Sequence, residues 1–528
     1  MNILLTAINA KYIHSNLAVY SLRACAGEYR DAVELAEYTI NNQKDYILEE
    51  LYKRKPDVLC FSCYIWNIDY VTDIAREYKK LCPSVPIWVG GPEVSYEVEA
   101  FLRENPYIDG VMIGEGEDTF RELCGYYAHK RKLSDIAGIA FRKNSTGNST
   151  SVNNIGGNKA GEIVFTSPRP IKNMSEIPFC YDTLDDFSNR IIYYESSRGC
   201  PFSCSYCLSS VDKTLRFRDT EIVKKELKFF IDQKVPQIKF VDRTFNCNHA
   251  HAMELWRFIK ANDNGVTNFH FEISADLLNQ EELELISDMR PGLIQLEIGV
   301  QSTNDVTIKE IHRTMKLERL KEVVRLIQSG NNIHEHLDLI AGLPYEDYDS
   351  FGRSFDEIYE LKPNQLQLGF LKVLKGSYMF EHAAEYGIVY HDKPPYEVMS
   401  TKWLSFDDVI KIKRVEEMLE VYYNSGQFEI TMKLMECIFD SAFEFFQELG
   451  DFYEANGYFG MSHSRIRRCE ILLEFLALYL HGCDSDDMAS VGLSGNAGDR
   501  DNTDFDENAQ IYKMIQESLI FDLYYREN

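Results

Sequence analysis

Apolar positions in the first 125 or so residues fall in short runs separated by amphipathic stretches: 2–8, 33–38, 58–63, 87–91 and 110–113. Runs of this length that are apolar on both faces predict strands of a parallel sheet covered by helices, a doubly wound, Rossmann-like α/β domain. Ligands of such sheets sit at the carboxyl ends of the strands. Those ends read Asn9-Ala10-Lys11-Tyr12, Ser62-Cys63-Tyr64, Gly90-Gly91-Pro92-Glu93 and Gly114-Glu115-Gly116-Glu117. Glycines there let backbone approach something large and flat. From about 189 the alternation resumes, with strands expected at 191–197, 237–241, 268–274, 293–299, 335–340 and 366–372. Six further βα units predict a second parallel α/β arrangement, and in parallel barrels functional groups gather at the carboxyl ends of the strands. Beyond about 400, apolar residues recur at helical spacing over 406–423, 430–449 and 464–480, which predicts an α-helical C-terminal part.

These patterns divide the chain into an α/β domain (1–142), a hairpin and linker (143–188), a second parallel α/β unit (189–378) and a helical domain (379–528). Residues 143–162 are rich in turn formers and join two strand-like segments, 138–141 and 163–165, as a hairpin with a long, mobile loop. Residues 484–508 are acidic and poor in apolar groups, which predicts a solvated, disordered insertion before a last helix over 509–525.

The 528 residues carry 56 Lys and Arg against 83 Asp and Glu, a net charge of −27. That balance disfavours an extended nucleic acid as partner. No apolar run reaches the roughly 18 residues of a membrane span. The N-terminus reads as a strand without a signal peptide, and 13 cysteines without an export signal belong in a reducing compartment, so a cytoplasmic location is expected.

The most informative stretch is Arg198-Gly199-Cys200-Pro201-Phe202-Ser203-Cys204-Ser205-Tyr206-Cys207, a C-x3-C-x2-C loop directly after a strand. Three thiolates so placed can hold three irons of a [4Fe-4S] cubane and leave the fourth open. The alternatives are a zinc site, which would want a fourth ligand, or three unrelated core cysteines. The loop resembles the cluster-binding loop of the radical S-adenosylmethionine (radical SAM) enzymes, whose partial barrels typically count six βα units; residues 189–378 would form such a barrel. The resemblance implies that Cys200, Cys204 and Cys207 ligate the cluster and that the methionine moiety of S-adenosylmethionine chelates the open iron. It places Phe202 and Tyr206 at the cofactor, Asp242 at its amino group, with a salt bridge to Arg243 as the alternative, and Glu272 in contact with S-adenosylmethionine. Glu297 and Gln301 would reach ribose or substrate, and Ile340 and Gly342 would support adenine. Asp338 departs from the family's fifth-strand pattern, in which glycine stands there, and Glu346 lies one position late.

A doubly wound domain before such a barrel looks like the cobalamin-binding domain of cobalamin-dependent radical SAM enzymes. This implies a cobalamin site at Asn9, Ser62, Tyr64, Gly90, Gly91, Pro92, Gly114, Glu115, Gly116 and Glu117. The D-x-H-x-x-G signature is absent; Tyr12-Ile13-His14-Ser15-Asn16 keeps a histidine, so the lower cobalt ligand is His14 or none. A helical extension of this kind accompanies relatives of unassigned function. Cys437, Cys469 and Cys483 are too widely spaced for a second cluster loop and read as buried single thiols.

The resemblance implies methylation of an unactivated carbon. A 5′-deoxyadenosyl radical would take a hydrogen atom from the substrate, which then collects a methyl group from methylcobalamin. A cobalamin-dependent cyclisation or rearrangement uses the same parts. A methylthiotransferase-like enzyme and a non-catalytic cofactor sensor are further alternatives. The substrate would be a small molecule or a peptide, and the electron donor a flavodoxin or ferredoxin.

Overall fold

A computed structural model describes residues 1–143, 161–187, 189–211, 213–481 and 502–525. The tip of the expected hairpin loop, Cys483 and most of the expected acidic insertion lie outside the described residues; of the other two C-terminal cysteines, Cys469 is buried as expected and Cys437, at the last turn of its helix, is exposed.

The N-terminal strands are β1 (Ile3–Asn9), β2 (Val33–Thr39), β3 (Val58–Ser62), β4 (Ile87–Gly90), β5 (Gly110–Met112), β6 (Ile139–Arg142) and β7 (Ile163–Phe165). They form one sheet in the order β2-β1-β3-β4-β5-β6-β7. The first five are parallel, and β6 and β7 are the antiparallel hairpin expected from the sequence. Period-2 alternation divides β1 between two cores: Ile3, Leu5 and Ala7 join the core shared with the rest of the chain, while Leu4 and Ile8 pack in a second core on the opposite face. Strand order reverses between β1 and β3, and a doubly wound sheet opens its ligand crevice at that point.

The second sheet starts with β8 (Ile192–Tyr194). A two-stranded ribbon, β9 (Ser197–Arg198) and β10 (Arg216–Phe217), frames the cysteine loop. Then follow β11 (Gln237–Phe240), β12 (Asn268–Ile273), β13 (Ile294–Gln301), β14 (His334–Ala341) and β15 (Gln365–Phe370). The six long strands are parallel in the order β15-β14-β13-β12-β11-β8, an open barrel with two unclosed edges. Along β13, Ile294, Leu296, Ile298 and Val300 are buried beneath the outer helices, whereas Gln295, Glu297, Gly299 and Gln301 take the other face and line the lumen.

Unpaired strand edges expose backbone donors and acceptors that must be covered, and here the flanking segments cover them. At the β8 side, Ile191 donates its N–H to Ile13 O (2.8 Å) and its carbonyl accepts from Ser15 Oγ (2.9 Å). At the β15 side, Asn424 Oδ1 accepts from Leu366 N (3.0 Å) and Asn424 Nδ2 donates to Leu366 O (2.8 Å). Asn424 ends a π-helical turn over Glu420–Asn424, a local widening that is frequent at functional positions. Further along, Val398 N bonds Leu371 O and Val373 N bonds Tyr396 O, so residues 396–398 extend the barrel edge. The remaining C-terminal part is helical, with long helices over Phe406–Leu419, Glu429–Ile438, Ala442–Ala455, Arg465–His481 and Asn502–Tyr525. No described helix is long and apolar enough to cross a membrane.

Asn424→Ala should strip the β15 edge of two hydrogen bonds, at a cost of about 1–3 kcal/mol for the groups left unpaired. The expected result is a lower thermal midpoint with faster hydrogen exchange at the Leu366 amide. Unchanged exchange there would mean that Asn424 does not protect the edge.

Candidate functional site at the cysteine loop and the interdomain cavity

The cysteine loop leaves the carboxyl end of β8 and is held from three sides. Gly199 has φ +93°, and a Cβ there would stand 2.5 Å from Thr214 O, so the turn before Cys200 admits only glycine without displacement. Asp242, at the end of β11, accepts hydrogen bonds from Ser196 N (2.9 Å), Ser196 Oγ (2.6 Å) and Ser197 Oγ (2.6 Å). Within the loop, Ser205 N donates to Ile311 O and Ser205 O accepts from Met379 N, both at 2.9 Å.

The Asp242 carboxylate is buried and ties the end of β11 to the strand that launches the loop, which positions the cysteines. It does not pair with Arg243. Burial pushes its pKa up to about 7 against the three hydrogen bonds, which favour the charged form.

Cys200 and Cys204 are buried and Cys207 is half-buried; all are free thiols. Thr244 Oγ1 lies 3.8 Å from Cys200 Sγ, and Arg313 Nη1 lies 3.9 Å from Cys204 Sγ. Among the described residues no three metal-binding side chains converge as around a single ion. A cubane has its irons at separate corners and needs no such convergence. Three thiols without a competing disulfide, backed by a cation, fit a cluster that carries net negative charge.

Beside Cys204 opens a pocket of about 140 Å³ at the barrel mouth, lined by Phe202, Glu272, Glu297 and Gln301 together with Arg243, Arg313 and Asp338. A β-bulge between Gly299 and Gln301 leaves Gln301 at φ +77°, the kind of irregularity that re-aims a side chain next to a site. Glu297 is held by Lys239 Nζ and His270 Nε2, each at 2.8 Å. Burial alone would raise its pKa, but these two partners outweigh it and hold it at about 2. Glu272 lies opposite Glu297 on β12. Burial, then the charge of Glu297, push its carboxyl up, with Arg243 and Lys239 opposing. Gln301 Oε1, Asp338 Oδ1 and His336 Nε2 are buried without hydrogen-bond partners, and His336 Nε2 stands 3.2 Å from Asp338 Oδ1. Unspent polar groups around one pocket are what a polar ligand such as S-adenosylmethionine would satisfy.

Three expected contacts fall elsewhere. Tyr206 accepts from Arg313 Nη1 (3.3 Å) and does not line the pocket. Ile340 is half-buried away from it. The space at Gly342 is filled by Val398, whose Cγ1 would be 2.6 Å from a Cβ there. The segment after the barrel folds back over this strand end, and the missing side chain at position 342 makes room for Val398. Glu346 is buried and accepts from Ser302 Oγ (2.6 Å) and Ser354 Oγ (3.1 Å), a structural anchor.

The second cavity, of about 780 Å³, lies between the N-terminal domain and the barrel. All ten positions named for cobalamin line it, from Asn9, Ser62 and Tyr64 through Gly90, Gly91 and Pro92 to Gly114, Glu115, Gly116 and Glu117. A Cβ on Gly114 would meet nothing within 4 Å, so that wall is open, as a bulky planar group requires. Three roles change. Gly91 is needed because a Cβ would stand 2.3 Å from Cys63 O, a packing reason within the domain. Glu115 and Glu117 spend their carboxylates on the barrel: Glu117 accepts from Arg198 Nη2 (2.8 Å), and Glu115 pairs with Arg216 and lies 3.4 Å from Arg198 Nη1. His14 lines the cavity with Nδ1 2.7 Å from Tyr193 Oη. Burial, then Lys11 and Lys239, keep its pKa low, so it is a neutral docking contact to the barrel.

Arg313 was not singled out by sequence reasoning, Arg198 entered it only as the first residue of the cysteine stretch, and Arg243 only as a possible partner of Asp242. Arg243 lines both cavities; its only signal was its place at the end of a barrel strand.

An α/β crevice domain set against a partial barrel that presents a C-x3-C-x2-C loop is the arrangement of a B12-binding domain followed by a radical SAM domain. Family models agree by segment: B12 binding domain over residues 3–124, Radical SAM superfamily over 194–358, and a protein of unknown function, DUF4080, over 384–528. The radical SAM domain implies S-adenosylmethionine and a [4Fe-4S] cluster. The similar proteins include cobalamin-dependent radical SAM methyltransferases and also anaerobic magnesium-protoporphyrin IX monomethyl ester cyclases. The chain is similar to the cobalamin-dependent radical SAM methyltransferase TokK of Streptomyces tokunonensis, at 27% identity over 360 residues, 64% of this chain and 49% of that protein. It spans about half the length of the curated relatives it matches. Its fold is similar to that of the cobalamin-dependent S-adenosylmethionine radical enzyme OxsB, with a TM-score of 0.62 at 15% identity, covering 98% of this chain and 80% of that one. The methyltransferase TsrM of Kitasatospora setae is also similar, with a TM-score of 0.58 at 17% identity over 75% of this chain and 82% of that one.

Glu297→Gln should lower stability near pH 7 by on the order of 3 kcal/mol, the worth of a carboxyl held that far below its ordinary value. Because the folded pKa is depressed, this stabilisation is present above the ordinary value of 4.5 and is lost as pH falls through about 2. Urea unfolding of both proteins should therefore show a deficit that shrinks across that window. A deficit independent of pH would show that the charge of Glu297 is not its source.

Proposed function

We propose that this chain is a cobalamin-dependent radical SAM methyltransferase acting on an unactivated carbon of a small molecule or peptide. The observation that carries the reading is the meeting of the two cavities: the one suited to cobalamin opens beside the cysteine loop, and Arg243 borders both. A substrate held there would lie between the two cofactors. When bound, the cluster with S-adenosylmethionine supplies a 5′-deoxyadenosyl radical and cobalamin supplies a transferable methyl group.

The chain's own residues do the rest. Cys200, Cys204 and Cys207 would hold the cluster, with Asp242 fixing their strand and Arg313 beside Cys204 to offset thiolate charge. Glu272, Gln301 and Phe202 border the S-adenosylmethionine pocket. Lys239 and His270 keep Glu297 charged, so it can accept hydrogen bonds from hydroxyl or ammonium groups but has no proton to give. The N-terminal domain roofs the barrel mouth and limits water access, which protects a reactive radical from quenching. An external electron donor such as a flavodoxin or ferredoxin would reduce the cluster, in the cytoplasm.

The test is turnover of S-adenosylmethionine under anaerobic reduction, with cobalamin supplied. The intact protein should release 5′-deoxyadenosine, and Cys204→Ala should lower the rate at least 100-fold. With a substrate identified from cell extract, the product should carry one added methyl group. Release of 5′-deoxyadenosine with a ring-closed or rearranged product would favour the cyclase reading, and no dependence on Cys204 would remove the radical SAM assignment.

A further inference from the structure

The two residues expected to face cobalamin, Glu115 and Glu117, do something the sequence does not show. They reach across to Arg198, two positions before the first cluster cysteine. Arg198 Nε and Nη2 bond the Glu195 carboxylate of its own segment (2.9 and 2.7 Å), and Nη2 also bonds Glu117 Oε1 (2.8 Å). Arg216, its partner across the β9–β10 ribbon, binds Glu115 as well. Glu117 is 6% exposed, so its pairing is shielded from solvent. The turn 114–117 that supplies these carboxylates is also a wall of the 780 Å³ cavity.

We infer that Arg198 couples occupancy of the cobalamin cavity to the cysteine loop: a group seated against the 114–117 turn fixes Glu115 and Glu117, and through Arg198 fixes the backbone that enters Cys200. This rests on the cobalamin reading of the cavity. A planar fork bonded to carboxylates on both sides of an interface transmits geometry, because shifting either side breaks directed bonds instead of sliding a diffuse charge. Arg198 is thus a positioning residue, and its action is reciprocal: cobalamin should change the cluster's reduction potential, and the cluster's redox state should change cobalamin affinity by the same factor.

The experiment measures hydroxocobalamin affinity by absorption titration, and the cluster midpoint potential by electron paramagnetic resonance, with and without hydroxocobalamin, on protein carrying a full cluster. The intact protein should show at least about a fivefold linkage, where tenfold corresponds to 59 mV for one electron. Arg198→Lys keeps the charge and loses the fork; it and Glu117→Gln should retain cluster and cobalamin but lose most of the linkage. If hydroxocobalamin binds and the potential does not move, the coupling is overturned while the cobalamin reading stands. If hydroxocobalamin does not bind, both fall. A linkage unchanged in both variants would overturn the role of Arg198.

Discussion

A guanidinium held by carboxylates on both sides of a domain boundary is the contact on which the rest of the site depends. Arg198 belongs to the strand that launches the cysteine loop, and Glu115 and Glu117 belong to the turn that walls the neighbouring cavity. Such a network adds little net stability over a well-packed apolar contact, because desolvating the charges offsets their attraction. What it supplies is register. Sliding the N-terminal domain over the barrel would strand charges without partners, and removing one partner of a buried pair costs about 3–5 kcal/mol. A second set of contacts sits across the cavity: Tyr396 donates to Glu93, and Tyr96 packs on the barrel exit where a Cβ on Gly376 would collide with its ring.

An open barrel creates two liabilities, and the flanking domains meet both. Its edges are capped by residues 13–15 on one side and by Asn424 and residues 396–398 on the other. Its lumen stays polar where a closed barrel would pack branched apolar side chains. Lys239, His270, Glu297 and His336 share that interior, and the mutual satisfaction of the first three makes their burial tolerable. Gln301, whose Oε1 is left unspent, and Asp338, which stands 3.2 Å from His336, border the pocket beside Cys204. The polar lumen and the cysteine loop therefore form one site.

Much of this was legible in the sequence because strands buried on both faces leave compact apolar runs, and because three cysteines at fixed spacing have few uses. The five N-terminal strands and the six barrel strands follow from that pattern, whereas their order β2-β1-β3-β4-β5 comes from the structure. Individual polar roles were not legible, since they depend on who donates to whom. Asp242 looked free at a strand end, but its donors lie 45 and 46 residues upstream. Glu117 looked like a cavity ligand, but its partner is 81 residues downstream. Gly342 looked open until Val398 returned from beyond the barrel to cover it. In each case the competing partner arrives by tertiary contact, which no local spacing encodes.

The account stands on two cofactors meeting in one site. The most direct test is the metal content and absorption spectrum of protein purified without oxygen from cells supplied with cobalamin. The structure leads us to expect about one cobalt and four irons per chain, with the iron lost when Cys200, Cys204 and Cys207 are all replaced by alanine. Four irons with no cobalt would contradict the two-cofactor account and leave the large cavity to another occupant.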